Sequence, residues 1–289
     1  YKLFNIISLL LIIISLCLLL FKGLNYGVDF KGGTLIELRS DNKNLNIKIL
    51  RQSLSKMNLG DVTVKKFGNE KDYLIKFEKN DKKDPNAIDK VKKNLQKDLN
   101  IEITFRRVED VGPKVSAELL SSGIIAILLS LGAMLFYIWI RFEWQFSLGA
   151  ILALFHDVII TLGFFSLLSL EINLSIVAAV LTIVGYSMND TVVIFDRVRE
   201  NLKKFSDIKI YELTNISINE TLSRTIITSI TTLLALFSIF FFGGEILKGF
   251  SFAMILGVLF GTYSSIYIAN PVLVFFRVSQ KTILKEDKD

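Results

Sequence analysis

The chain contains 289 residues, of which 51% are hydrophobic and 21% are charged, and its formal net charge is +6. The mean hydropathy of +0.48 excludes an ordinary soluble domain, because the apolar residues form blocks that reach the roughly 20 residues of a membrane-spanning helix. Basic residues lie beside and between these blocks, which favours a membrane surface over nucleic acid as their partner. With one cysteine, Cys17, and one histidine, His156, neither a disulfide nor a metal site is expected, and no cofactor is implied.

Six apolar blocks predict six membrane-spanning helices. The first covers 3–21 and is followed by Lys22 and Gly23 without the small residues of a cleavage site, so we expect it to be retained. The other five are predicted at 123–140, 146–168, 175–201, 225–242 and 250–276. The predicted organisation is a first helix (1–22), an exterior domain (23–120), a five-helix bundle (121–276) and a charged tail (277–289).

The segment between the first two spans has the pattern of a small α+β domain. Alternating apolar residues predict strands, and apolar residues at helical spacing predict two amphipathic helices. The predicted elements are a strand at 34–39, a helix from Asn46 to Met57, strands at 61–67 and 73–77, a helix that begins at Asp84 and Pro85, and a strand at 101–108. This β-α-β-β-α-β order predicts a ferredoxin-like fold.

Positive charge predicts the orientation of the bundle. The connector 196–224 and the tail 277–289 are rich in lysine and arginine, whereas the short loops at Glu171 and Glu245 carry almost no positive charge. By the positive-inside rule the connector and the tail are cytoplasmic. Counting the spans then places both termini in the cytoplasm and the inserted domain on the exterior side.

Asp157 is the strongest candidate for a functional residue, because it lies near the middle of the third predicted span with His156 beside it. Gly149, Ala153 and Thr161 lie at steps of four residues from Asp157 and share its helix face. Ionisable groups inside a membrane usually serve function, and a carboxyl group withdrawn from water can gain and lose a proton at ordinary pH. The alternative is a protonated aspartate that only hydrogen-bonds a neighbouring helix.

The fourth span carries a second polar set. Asp190 and Arg197 are two helical turns apart on one face, and Asn189 lies beside them. We expect Asp157, Asp190 and Arg197 to form a proton or ion path. Arg197 and Arg199 lie near the predicted cytoplasmic boundary, so anchoring of the helix and pairing with nearby acids are as well supported as a role in transport.

The last two spans carry stripes of small or hydroxyl-bearing residues. In span five Thr221, Thr225, Thr228 and Thr232 recur at helical spacing, and their hydroxyls can either face the ion path or bond carbonyl groups of their own helix. Small residues at every fourth position of span six predict close helix packing: Gly249, Ala253, Gly257, Gly261 and Ser265. The candidates for polar support of the ion path are His156, Thr161, Asn189, Thr228 and Thr232.

The sequence offers no basis for an enzyme. No glycine-rich phosphate loop precedes a Lys-Ser or Lys-Thr pair, so an ATPase has no support. No nucleophile, base and orienting group are spaced for hydrolysis. Any work that the protein does is expected to draw on an ion gradient or on a partner.

Several long segments resemble the SecD/SecF family of protein-export membrane proteins. GVDFKGGTLIEL, after the first span, resembles the opening signature that the family shares. The segments that resemble the SecF members of the family cover the remaining spans in order: VGPKVSAELL, FHDVIITLGFFSL, VAAVLTIVGYSMNDTVVIFDRVREN, SRTIITSITTLLALFSIFFFGG and LKGFSFAMILGVLFGTYSSIYIANPV. The resemblance extends over nearly the whole chain and implies membership of the RND-type superfamily.

The resemblance also implies partners and a site. A family member of this kind pairs with SecD in the bacterial or archaeal cytoplasmic membrane, associates with the SecYEG channel and contacts the unfolded preprotein; YajC and YidC are further implied partners. The family is thought to use a proton gradient, or a sodium gradient in some organisms, to assist translocation. Its intramembrane acid corresponds to Asp157, and its fourth-span polar motif corresponds to Asn189, Asp190 and Arg197. The acid expected from SecD is absent from this chain.

Two other functions stay open. An RND-type transporter of lipids or other hydrophobic compounds would need an apolar tunnel through the exterior domain, and the small, lysine-rich domain argues against one. A structural scaffold that stabilises SecD would leave the polar residues of the spans inert.

Overall fold

The computed structural model of the protein describes residues 2–42, 45–57, 59, 62–77, 87–99, 101–205, 208–280 and 282. The chain forms two compact units. The membrane unit comprises Tyr1–Asn25 and Ile125–Asp289, and the sheet unit comprises Tyr26–Ile124. Each unit has an apolar core of its own.

Helices dominate the fold. The helices are α1 (Lys2–Phe21), α2 (Val28–Lys31), α3 (Ile47–Ser55), α4 (Ala87–Leu99), α5 (Pro113–Arg141), α6 (Trp144–Leu167), α7 (Leu174–Lys204), α8 (Ile210–Phe242), α9 (Glu245–Ser264) and α10 (Asn270–Phe275). The strands are β1 (Asn25–Tyr26), β2 (Gly33–Arg39), β3 (Val62–Phe67), β4 (Asn69–Phe77), β5 (Thr104–Val111) and β6 (Glu171–Ile172). A π-helical turn, Ser265–Ala269, joins α9 to α10.

Six segments of the described chain are long and apolar enough to cross a membrane, which confirms the predicted number of spans. They are Leu3–Phe21, Pro113–Arg141, Trp144–Leu167, Leu174–Lys204, Ile210–Phe242 and Ile246–Phe275. The second span begins far before its apolar block, at Pro113. Proline suits the first turn of a helix, because the amide hydrogen that it lacks would have no partner there.

The predicted connector 196–224 is largely helical. Helix α7 continues to Lys204 and α8 begins at Ile210, so residues 205–209 alone lie between the two helices. Polar residues continue helix α7 beyond its apolar block. Arg197 and Glu200, which are three residues apart in the sequence, form an ion pair at 2.5 Å that supports the last turns of α7.

The sheet unit has the predicted ferredoxin-like topology. Its four strands are antiparallel and lie in the order β3-β4-β2-β5. Helices α3 and α4 contribute Leu54 and Leu95, which are fully buried with Ile36 and Ile75 of the sheet. The predicted start of α4 at Asp84 and Pro85 lies outside the described residues. Strand β5 begins and ends three residues later than predicted.

A buried carboxylate joins two strands of the sheet unit. Asp72 on β4 stands opposite Arg39 on β2, and the guanidinium donates two hydrogen bonds to the carboxylate at 2.6 and 2.7 Å. Arg106 approaches the same carboxylate at 3.4 Å. These hydrogen bonds and charges hold the pKa of Asp72 below its usual value of 3.8, although burial opposes the shift.

In the membrane unit, α7 and α9 pack at close range. A Cβ atom on Gly257 would lie 2.2 Å from Ile183 Cγ1, and one on Gly261 would lie 3.0 Å from Ser187 Cβ. On the same stripe, a Cβ atom on Gly249 would lie 3.3 Å from Ile176, and Ala253 is fully buried. The small-residue stripe therefore lets α7 approach α9.

We expect Asp72→Asn to lower the free energy of unfolding of the sheet unit by about 1–2 kcal/mol at neutral pH, because the two arginines lose a charged partner. Folding lowers the pKa of Asp72, so its contribution is present above the unfolded value and is lost as the pH falls through the folded value. The difference should therefore shrink below about pH 4. Urea titration with pulsed hydrogen exchange of β2 and β4 measures the difference in the free energy of unfolding between the variant and the wild-type chain.

Asp41→Asn is the matched control for Asp72→Asn. Asp41 pairs with Lys71 at 2.8 Å, but the two side chains are 80% and 61% exposed. An exposed pair contributes little, so this variant should unfold like the wild-type chain. Equal losses in both variants would contradict a special role for Asp72.

Gly257→Ala should lower the free energy of unfolding of the membrane unit by about 1–3 kcal/mol, because the added methyl group overpacks the contact with Ile183. Gly132→Ala on α5 is the control, since nothing lies within 4 Å of its new Cβ atom. That control should be neutral or stabilising by up to about 1 kcal/mol. Thermal unfolding in detergent measures both, and a fully stable Gly257→Ala protein would disprove the close packing.

Candidate functional site

Asp157 lies at the centre of the membrane unit, where three helices meet. It is 0% exposed, and its carboxylate oxygen Oδ2 accepts hydrogen bonds from Ser187 on α7 at 2.6 Å and from Ser264 on α9 at 2.8 Å. Its other oxygen, Oδ1, lies 2.9 Å from Nδ1 of His156. The contacts of Asp157 thus connect α6, α7 and α9 through one carboxyl group.

The two serines reach Asp157 because the helices are close. Gly261 lies against Ser187 and has no side chain to separate α7 from α9. Ser264 lies one turn after Gly261, at the end of α9, and also bonds the Gly261 carbonyl at 3.1 Å. The predicted packing stripe therefore helps to build the polar site.

The π-helical turn after Ser264 adds a second layer of hydroxyls. Ser265 lies 2.8 Å from the hydroxyl of Thr191 on α7, and Asn270 donates to the Ser265 carbonyl at 2.7 Å. All three side chains are buried. Such turns inside α-helices are frequent at functional sites, and this one brings consecutive serines towards two different partners on α6 and α7.

Asp190 is buried beside the same helices but has its own partner. Thr262 on α9 donates to its carboxylate at 3.5 Å, and the Thr262 hydroxyl also lies 2.7 Å from that of Ser229 on α8. Ser229 and Thr262 line a groove of about 320 Å³ between α8 and α9, whose other lining is largely apolar. Asp190 therefore lies at the inner end of a short hydroxyl chain that reaches this groove.

Arg197 lies at one end of the bundle, away from the described contacts of Asp157 and Asp190. Its guanidinium donates to Glu220 on α8 at 2.7 Å and to Glu200 at 2.5 Å, and it is 33% exposed. Asn201 donates to the same Glu220 carboxylate at 2.7 Å. Among the described contacts, Arg197 thus joins α7 to α8 and does not touch either buried acid.

The predicted supporting residues fall into three environments. His156 contacts Asp157 directly, whereas Thr161 donates to its backbone carbonyl at 2.8 Å. The hydroxyls of Thr228 and Thr232 donate to carbonyl groups of their own helix, which was one of the two alternatives for this stripe. The Tyr186 hydroxyl donates to the Thr228 carbonyl and to the Thr232 hydroxyl. Asn189 is exposed on α7.

Sequence reasoning missed the two serines that bond Asp157. Ser187 and Ser264 were not candidate site residues, although Ser187 stands within the polar segment of span four and Ser264 adjoins the packing stripe. A sequence does not show which of two adjacent serines faces inward after a π-helical turn. Among the described residues, no cluster of three or more His, Cys, Asp or Glu side chains could hold a metal ion.

The polar residues of the bundle end form a second cluster. Arg199 lies 3.3 Å from Glu143, whose carboxylate is 4% exposed at the start of α6. Arg199 also donates to the Arg141 carbonyl at 3.2 Å. Arg141 itself pairs with Asp196 at 2.9 Å, and both of those side chains are half-exposed. The cluster joins α7 to the turn between α5 and α6.

The fold and the site define a multi-pass membrane protein with one α+β domain after its first span and a buried carboxyl group in its bundle. The model of the C-terminal region of the protein export membrane proteins SecD and SecF matches residues 90–279. The model of the SecD/SecF GG motif matches residues 18–43. The chain belongs to the SecD/SecF family.

Curated relatives agree over most of the chain. The protein translocase subunit SecF of Rickettsia bellii is 46% identical over 269 residues, which cover 92% of this chain and 88% of the relative. The protein translocase subunit SecF of Calditerrivibrio nitroreducens is 46% identical over 284 residues, which cover 97% and 93%. Members of this family are components of the protein-transport machinery.

Solved structures agree with the fold. The crystal structure of SecDF from Thermus thermophilus, a translocon-associated membrane protein, matches with a TM-score of 0.82 and 37% identity over 93% of this chain. SecDF in a super-membrane-facing form matches with a TM-score of 0.68 and 35% identity over 98% of this chain. This chain spans 37% and 38% of the length of those two chains.

Arg199→Ala should lower the free energy of unfolding by about 2–4 kcal/mol, because it leaves the buried carboxylate of Glu143 without its cation. Arg141→Gln is the matched control at the same end of the bundle. Its partner Asp196 is half-exposed, so we expect a loss below about 1 kcal/mol. Thermal unfolding in detergent measures both; similar losses would show that burial of Glu143 does not decide the effect.

Proposed function

We propose that this protein is the SecF-type subunit of the protein-export machinery, and that it works with SecD to couple an ion gradient to preprotein translocation through the SecYEG channel. Protons are the proposed ion. Membership of the SecD/SecF family supports the role in export. The single observation that supports ion coupling is the Asp157 carboxyl group, fully buried in the membrane unit and bonded from three sides.

The partners of Asp157 suit a group that changes its protonation state. A serine hydroxyl donates to an ionised carboxylate and can turn to accept from a protonated one. Ser187 and Ser264 can therefore remain bonded to Asp157 in both states. Gain or loss of a proton would change the direction and strength of bonds to α7 and α9, which gives the carboxyl group a direct mechanical effect on helix packing.

Asp190 and Arg197 have proposed roles beside Asp157. Asp190 would be the second carboxyl group of the path, because it is buried on α7 three residues after Ser187. Arg197 would control the cytoplasmic end through its bonds to α8. Asn189 is exposed on the same helix and is proposed to face SecD, which would supply the missing acid.

The proposed location is the bacterial or archaeal cytoplasmic membrane, with both termini in the cytoplasm. The charged cluster formed by Arg141, Arg197 and Arg199 with their acidic partners lies at one end of the bundle. Lys203 and Lys204 lie at the end of α7, and Lys209 directly precedes α8. By the positive-inside rule this end is cytoplasmic, and the domain inserted between α1 and α5 is exterior. YajC and YidC are further proposed partners.

Asp157→Asn should abolish the stimulation of export by the proton gradient while the protein still accumulates and co-purifies with SecD. Asparagine preserves the size of the side chain and its bonds to the serines, but it cannot take up a proton. Preprotein translocation into inverted membrane vesicles, with and without a proton gradient, measures the effect.

Asp196→Asn is the control for Asp157→Asn, because it removes a half-exposed carboxylate near the end of the same bundle. It should retain the gradient effect. Full stimulation in the Asp157→Asn protein would instead favour a scaffold that stabilises SecD without carrying ions.

A further inference from the structure

His156 is buried in the membrane bundle beside Asp157 and, among the described contacts, uses only one of its two ring nitrogens. Its side chain is fully buried, and its Nδ1 atom lies 2.9 Å from Asp157 Oδ1. Its other ring nitrogen, Nε2, is buried and has no hydrogen-bond partner among the described residues. A buried nitrogen without a partner is costly, so a purely structural role leaves it unexplained.

The surroundings of the imidazole ring are aromatic. Tyr263 stacks on it at 5.8 Å with an angle of 22°, and Phe260 meets its edge at 6.3 Å. The Tyr263 hydroxyl is engaged elsewhere, because it bonds the hydroxyl of Ser8 at 2.7 Å and the carbonyl of Phe4 at 2.8 Å on α1. The ring is thus held in place, while its Nε2 atom stays without a bond.

Few titratable groups face the histidine and aspartate pair. From α7 the pair meets Ser187, and from α9 it meets Ser264 and Tyr263. The nearest acid along α7, Asp190, has its described hydrogen bond with Thr262. Among the described contacts, the only charged or chargeable hydrogen-bond partner of His156 is therefore Asp157.

We propose that His156 is the proton relay of the site, which loads Asp157 through its Nε2 atom. This inference rests on the proposed function, in which Asp157 carries the proton. In the starting state the neutral ring donates Nδ1–H to the ionised carboxylate, and Nε2 holds a free electron pair. A relay requires this arrangement: one nitrogen on the carboxylate and the other available to accept a proton.

The relay conserves protons at each step. A hydronium ion gives its proton to Nε2 and becomes water, which makes the ring an imidazolium beside the carboxylate. The Nδ1 proton then moves to Oδ1, which leaves a neutral ring with N–H at Nε2 and a neutral Asp157. After Asp157 passes its proton onward to a base on the opposite side, a tautomer exchange through water, which adds a proton to Nδ1 and removes one from Nε2, restores the N–H bond to the carboxylate.

Three variants separate the relay from other roles. His156→Asn places an amide N–H near the position of Nδ1, so it keeps the bond to Asp157 but has no second nitrogen to accept a proton. His156→Phe keeps the ring against Tyr263 and loses both nitrogens. His156→Ala opens space in which free imidazole can bind. The relay predicts that all three lose proton flux, by about 10²-fold or more.

The experiment measures proton flux in liposomes that contain the full chain with SecD, with and without imidazole in the buffer. We expect imidazole to restore flux to the His156→Ala protein and to have no effect on the Asn and Phe variants, where the space is filled. Wild-type flux in the His156→Asn protein would overturn the relay and leave His156 a positioning residue. Wild-type flux in the His156→Phe protein would show that His156 serves only to pack against its neighbours.

Asp157→Asn in the same liposomes separates the relay from the function on which it rests. If Asp157→Asn loses flux and His156→Asn keeps it, the relay alone is wrong. If Asp157→Asn keeps flux, the proposed function itself fails. Co-purification with SecD shows that each variant folds; should His156→Ala not fold, the flux of the better-packed His156→Asn protein decides.

Discussion

A carboxyl group without water must be bonded by the protein, and this requirement determines the structure around Asp157. Two of its hydrogen bonds come from other helices, so α7 and α9 have to approach α6 and each other closely. Side chains of ordinary size would prevent that approach, as the distance from Gly261 to Ser187 shows. Gly261 and the two serines therefore act together to bond the buried carboxyl group of Asp157.

A buried carboxylate of the sheet unit, Asp72, shows by contrast what Asp157 is suited for. Asp72 meets two arginines, which stabilise its ionised form and oppose protonation near neutral pH. Asp157 meets hydroxyls and an imidazole, which can bond either form. The sheet unit thus has an acid that stays charged and supports the fold, whereas the membrane unit has one whose partners permit a change of charge.

Much of the fold and the position of Asp157 could be predicted from the sequence, because membrane spans, strand order and an acid in the middle of a span are local patterns. The residues that surround Asp157 could not be predicted equally well, because they depend on which faces of the helices pack against each other. Thr228 and Thr232 have the spacing of a polar stripe, yet they bond their own helix and Tyr186. Ser264 adjoins the packing stripe, but its sequence does not show that it reaches Asp157, which depends on the close approach of α9 to α6. Likewise, the position of Arg197 depends on Glu220, an acid 23 residues away.

The site is also joined to the first membrane helix. Gly163 on α6 packs directly against Ser15 on α1, and Ser166 donates to the Gly23 carbonyl at 2.7 Å. Tyr263, which stacks on His156, bonds α1 at Ser8. A shift of α6 or α9 that follows a change of charge at Asp157 would therefore be shared by α1, since close-packed protein interiors do not deform locally. Helix α1 ends at Phe21, and the chain enters the sheet unit at Tyr26. Few residues thus separate α1, which packs against α6, from the domain proposed to act outside the membrane.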